Sequence, residues 1–131
     1  MKPKLFEQFV SFIYCEDLEK TCAFYEKIIG LEMVLDQGPC RIFRVAPNGF
    51  LGVCIQLDPP KEKKGIILTF VSNDVDGWYE YLKQFHLTFE KTPQFNEKFN
   101  IYHLFVRDPA GYLVEIQEFK DPKWPKPEIR K

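Results

Sequence analysis

LFVRDPAGYLVEIQEF, residues 104–119, reads as two apolar strands that turn back on each other through Asp108, Pro109, Ala110 and Gly111. The returning strand carries one carboxylate, Glu115, in its middle. A carboxylate inside an apolar strand is costly unless it is paired, hydrogen-bonded, metal-bound or facing water. The two questions are therefore what surrounds this hairpin and what Glu115 is for.

Working back from the hairpin, NIYHLFVR (100–107) is its first strand, KTPQFNEKF a loop (91–99) and HLTFE (86–90) a short strand. SNDVDGWYEYLKQF (72–85) has a helical apolar stripe of Val75, Trp78, Tyr79 and Leu82 behind a cap at Asn73 or Asp74. GIILTFV (65–71) precedes it as a strand, which gives the order β-α-β-β-β. The first half repeats that order. FVSFIYC (9–15) is a strand; EDLEKTCAFYEKIIG is a helix capped by Asp17 and stopped by Gly30. LEMVLD (31–36), CRIFRVA (40–46) and FLGVCIQL (50–57) are three more strands, the last two joined by the PNG turn. The caps lie about 57 residues apart, so the chain is an internal duplication.

The expected fold is therefore α+β: one domain over 1–131, with module one at 9–57, a Lys- and Pro-containing linker at 58–65, module two at 66–119 and a Pro/Lys-rich tail at 120–131. Neither module buries both faces of a sheet alone, so the modules are expected to pack together, or to swap with a second chain, with two curved sheets enclosing a groove in a homodimer. Trp124 is the tail residue expected to pack, over a groove end or a dimer seam; a frayed terminus is the equal alternative.

A net charge of -1 gives no bulk electrostatic hold on nucleic acid or an anionic membrane. No apolar run reaches the roughly 18 residues of a membrane span, and Glu7 and Gln8 interrupt any leader-like start. The expectation is a soluble, cytoplasmic protein. In a reducing compartment Cys15, Cys22, Cys40 and Cys54, which lack zinc-type spacing, are expected to be small apolar fillers; a reactive thiol at Cys40 or Cys54 is the alternative.

Two stretches carry a family resemblance. DLEKTCAFYEKIIGLEM (17–33) is similar to the helix signature of the vicinal-oxygen-chelate superfamily (glyoxalases, bleomycin- and fosfomycin-resistance proteins, extradiol dioxygenases), and RDPAGYLVEI (107–116) resembles its hairpin motif. The resemblance, with the repeat, covers residues 9–119 and implies paired βαβββ modules. It also implies a divalent metal held by two side chains from each module and acting as a Lewis acid on a substrate's adjacent oxygens. By motif spacing the four ligand positions fall on Val10, Gln56, Ile66 and Glu115. Val and Ile have no lone pair to offer, and one amide with one carboxylate does not hold Zn²⁺, Ni²⁺ or Fe²⁺ tightly. No metal ligand set is assigned and no cofactor is expected; a metal, if bound, would sit near Gln56 and Glu115.

The resemblance thus implies a metal-independent small-molecule binder, holding an aromatic or cationic ligand in an apolar groove. Phe12, Tyr14, Cys54, Phe70 and Tyr102 are expected to line that groove, with Gln56 and Glu115 as polar anchors and Glu115 as the candidate catalytic base. The alternatives are a lyase, isomerase or dioxygenase with an irregular metal set (Gln56, His103, Glu115), and a structural dimer with a filled groove. His103 is expected to be a satisfied structural histidine and His86 a surface residue. Of Arg41 and Arg44, which face opposite ways on one strand, at most one reaches the groove.

Overall fold

The computed structural model describes residues 1–3 and 5–127, so the tail residues 128–131 lie outside the described part. The chain forms two compact units divided after Pro60, and each contains a four-stranded sheet with helix on one face.

In the first unit the strands are β1 (Phe9–Cys15), β2 (Glu32–Asp36), β3 (Cys40–Ala46) and β4 (Gly49–Ile55), ordered β1-β4-β3-β2. β1 and β4 run parallel and the other pairs antiparallel. Helix α1 (Leu18–Ala23) starts where Asp17 accepts the Lys20 N–H, and continues as a π-helical turn, Phe24–Ile29. Gly30 ends it at φ 87°, a left-handed conformation that side chains disfavour. One face of the sheet, with Ile13, Phe43, Leu51 and Val53, is buried, and the α1 residue Glu19 pairs with Arg41 on that side.

The second unit repeats the plan with β5 (Ile67–Val71), α2 (Val75–Leu82), β6 (Phe89–Asn96), β7 (Ile101–Arg107) and β8 (Leu113–Phe119), ordered β5-β8-β7-β6. Asp74 caps α2 by accepting the Gly77 N–H. Leu68, Leu104, Val106, Val114 and Ile116 form the buried core on the helix side. The β7–β8 hairpin is fixed by the buried Asp108 side chain, which accepts N–H groups from Ala110 (2.9 Å) and Tyr112 (2.8 Å). Trp124 stacks on Phe119, with ring centroids 3.6 Å apart.

Two local expectations are corrected. Residues 91–96, read as loop, belong to β6; Pro93 is tolerated because β6 is an edge strand, and the pairing shifts register between Phe89 and Lys91 and again across Pro93, between Lys91 and Gln94. Cys40 and Cys54 are not separate fillers but are joined by a disulfide, because β3 and β4 place them directly opposite. No helix among the described residues is long and apolar enough to cross a membrane.

Candidate functional site

In the second unit, side chains on the helix-free face of the sheet converge on Glu115. Thr69 is its neighbour across the parallel β5–β8 ladder, and the Thr69 hydroxyl donates to Glu115 Oε1 at 2.7 Å. His103 lies diagonally across the β7–β8 hairpin, and its Nδ1 meets Glu115 Oε2 at 2.6 Å. Gln117, two residues along β8 and on the same face, donates its amide to Oε2 at 2.7 Å when its NH₂ is turned to the carboxylate. Glu115 and His103 are only 6% and 3% exposed, so this is a buried, charge-assisted cluster in which both carboxylate oxygens are engaged. One proton must lie between Nδ1 and Oε2. That fixes the imidazole so that Nε2 points away from Glu115, and Nε2 is buried with no hydrogen-bond partner among the described residues.

His103 is therefore a hydrogen-bond partner of Glu115, satisfied at Nδ1 but not at Nε2, and the opening question has its answer: the strand carboxylate is paired and hydrogen-bonded rather than solvated. Thr69 and Gln117 were missing from the sequence reading. Gln117 could have been found from the two-residue alternation along β8, whereas Thr69 needed the parallel register.

The helix-free face of the first sheet has the opposite character. Val10, Phe12 and Tyr14 on β1 pair with Phe50, Gly52 and Cys54 on β4, and Ile42 and Cys40 follow on β3. The Phe12 ring lies on Gly52, where a Cβ would come within 2.4 Å of Phe12 Cδ1. Only glycine leaves that seat open. Phe12 and Tyr14 remain 47% and 40% exposed. Gln56 is exposed, one residue past β4, with its N–H donating to the Cys15 carbonyl at 2.9 Å.

Three placements depart from expectation. Phe70 pairs with Ile116 and Tyr102 with Glu118, which puts both on the face opposite Glu115. The Tyr102 hydroxyl instead donates to Asp76 of α2 at 2.5 Å, an interaction that raises its pKa and holds it as a neutral donor. Ile66 precedes β5, and Ile67 occupies the Glu115 face; a one-residue slip in reading β5 accounts for the placements of Ile66 and Phe70. Neither arginine is available to a ligand carboxylate. Arg41 binds Glu19 through both terminal guanidinium nitrogens, and Arg44 pairs with Glu32 at 3.2 Å, donates to the Pro47 carbonyl at 3.1 Å and lies over the Phe50 ring. The hydrogen bond and charge of Arg41 hold the Glu19 carboxyl below its ordinary value.

The duplicated β-α-β-β-β plan has known counterparts. The model of the Glyoxalase/Bleomycin resistance protein/Dioxygenase superfamily matches residues 6–116. The chain belongs to this superfamily. A solved lactoylglutathione lyase from Agrobacterium tumefaciens is similar in fold, with TM-score 0.73 and 23% identity over 95% of this chain and 100% of that one. A glyoxalase/bleomycin resistance protein/dioxygenase from Nocardioides (TM-score 0.68, 16% identity, 100% of this chain, 93% of that one) is similar too. So is TioX from Micromonospora sp. ML1 (TM-score 0.71, 15% identity, 86% of this chain, 98% of that one). At these identities the likeness is one of fold. No curated protein sequence matches.

The metal that the superfamily implies does not fit the side chains present. Val10, and Ile67 in place of Ile66, are aliphatic at the first-strand positions, Gln56 offers one amide oxygen, and Glu115 is already bound by three neighbours. Among the described residues no group of three or more His, Cys, Asp and Glu side chains could hold a metal ion.

Proposed function

We propose that this member of the superfamily is a metal-independent small-molecule-binding protein whose ligand is aromatic or cationic and packs on the helix-free face of the first sheet. The observation that carries the reading is the exposed aromatic surface of Phe12 and Tyr14, with the Phe12 ring packed against Gly52. Flat π faces beside Val10 and Ile42 suit stacking and cation–π contact. Glu115 then serves the fold of module two as the centre of its polar cluster, not as a Lewis-acid ligand or a free base. The alternative, a metal-dependent enzyme with an irregular ligand set, requires the carboxylate to leave Thr69, His103 and Gln117.

Metal analysis of protein purified without chelator, followed by titration with Zn²⁺, Ni²⁺, Mn²⁺ and Fe²⁺, separates the two. The expected result is no saturable binding, together with saturable binding of a planar aromatic cation such as ethidium, followed by its fluorescence. One tightly held metal per chain, lost in Glu115→Ala, would overturn metal independence. A flat ethidium titration, repeated with neutral aromatic probes, would overturn the binder.

The reading includes a homodimer. Its support is the edge strand β2, where Met33, Val34 and Leu35 are all exposed beside an unpaired backbone edge. Light scattering at micromolar concentration is expected to give twice the chain mass of 15.6 kDa; the single-chain mass at all concentrations would refute it.

A further inference from the structure

The Cys40–Cys54 bond lies where the strand ladder itself brings two sulfurs together. The two residues are register partners of β3 and β4, with Cα atoms 4.1 Å apart and a sequence separation of 14. Backbone bonds hold this corner independently of the sulfurs. Gln37 N–H donates to the Cys40 carbonyl at 2.8 Å, Ile55 N–H to the Pro39 carbonyl at 2.8 Å, and Arg41 and Val53 continue the ladder. The Cys15 thiol donates to the Cys54 carbonyl at 3.7 Å. If the bond opened, the ladder would keep both thiols within reach of each other, at a high effective concentration.

The two sulfurs differ in access: Cys40 is half-buried and Cys54 is 5% exposed, so an outside reagent meets Cys40 first. The remaining cysteines are poor competitors. Cys15 and Cys22 are buried, and burial pushes the Cys22 thiol up to about 11.

We propose that Cys40 and Cys54 form a reversible dithiol–disulfide couple that exchanges with low-molecular-weight thiols and disulfides of the glutathione type. In the oxidising direction the Cys40 thiolate attacks oxidised glutathione, forming a mixed disulfide and releasing one glutathione. The Cys54 thiolate then attacks the Cys40 sulfur, closing the protein bond and releasing the second. Two electrons pass from protein to glutathione, and the two protein thiol protons end on the two glutathione thiols. Reduction is the reverse. The couple borders the aromatic surface, because Tyr14 is the β1 partner of Cys54 on the same face.

The test equilibrates the full native chain in glutathione buffers of increasing oxidised fraction. Samples are acid-quenched, alkylated under denaturing conditions and read by mass spectrometry. Alkylated cysteines are expected to fall from four to two, reversibly, with Cys40 and Cys54 as the pair protected and an unchanged far-ultraviolet circular dichroism spectrum. Cys40→Ser is expected to stop at a mixed disulfide with no internal bond. Four alkylated cysteines at every ratio would overturn the proposal. So would a bond that opens only in denaturant, protection of a pair containing Cys15 or Cys22, or an internal bond persisting in Cys40→Ser.

Discussion

Glu115→Ala is expected to destabilise the protein by about 3 kcal/mol, because it removes the common acceptor of two buried donors, His103 and Gln117, and of the Thr69 hydroxyl. For a chain of this length that corresponds to a fall in melting temperature of roughly 10 °C. The cost arises less from the lost attraction than from what remains: the buried Gln117 amide and His103 Nδ1 lose their acceptor, whereas the exposed Thr69 hydroxyl can turn to water. Glu115→Gln keeps the shape and one acceptor oxygen, so its penalty should be about half as large. A double-mutant cycle with His103→Ala isolates the pair, and a coupling of 1 kcal/mol or more is expected for groups this close and this buried. Chemical denaturation monitored through Trp78 and Trp124 provides the measurement. A loss under about 0.5 kcal/mol for Glu115→Ala would mean that the carboxylate is solvated and the cluster contributes nothing to the fold.

Gly52→Ala should weaken binding of an aromatic probe by about tenfold, while changing stability by less than about 1 kcal/mol. The new methyl group would occupy the seat of the Phe12 ring, at 2.4 Å from Cδ1 and 2.5 Å from Cε1. Phe12 is exposed enough to swing aside, so the sheet survives and the flat surface does not. Phe12→Ala should reproduce the loss of affinity with Gly52 intact. Nuclear magnetic resonance offers an independent readout, since the Gly52 Hα signals lie under the ring and should lose their ring-current shift in either variant. Unchanged probe affinity in both would remove the first sheet from the ligand site.

The duplication, the helix starts at Asp17 and at Asn73 or Asp74, the stop at Gly30 and the DPAG turn were legible because each rests on local chemistry: a cap, a left-handed glycine, an Asp closing its own turn. What was not legible depends on which residues of different strands stand side by side. Thr69 meets Glu115 only through a parallel ladder between segments 46 residues apart. His103 reaches it only if the β7–β8 register is known to the residue, and the same sensitivity put Phe70 and Tyr102 on the wrong face. The cysteines show a different gap. Their pairing follows from the β3–β4 register, but the expectation of reduced thiols came from an assumed compartment rather than from the residues.

Strand β6 closes one side of the second sheet with a poor edge. Pro93 lacks a backbone donor, the ladder shifts register between Phe89 and Lys91 and again before Gln94, and Lys91 adds a charge. A foreign strand laid against it finds no continuous row of N–H and C=O groups, which is how natural sheets resist fibrous polymerisation.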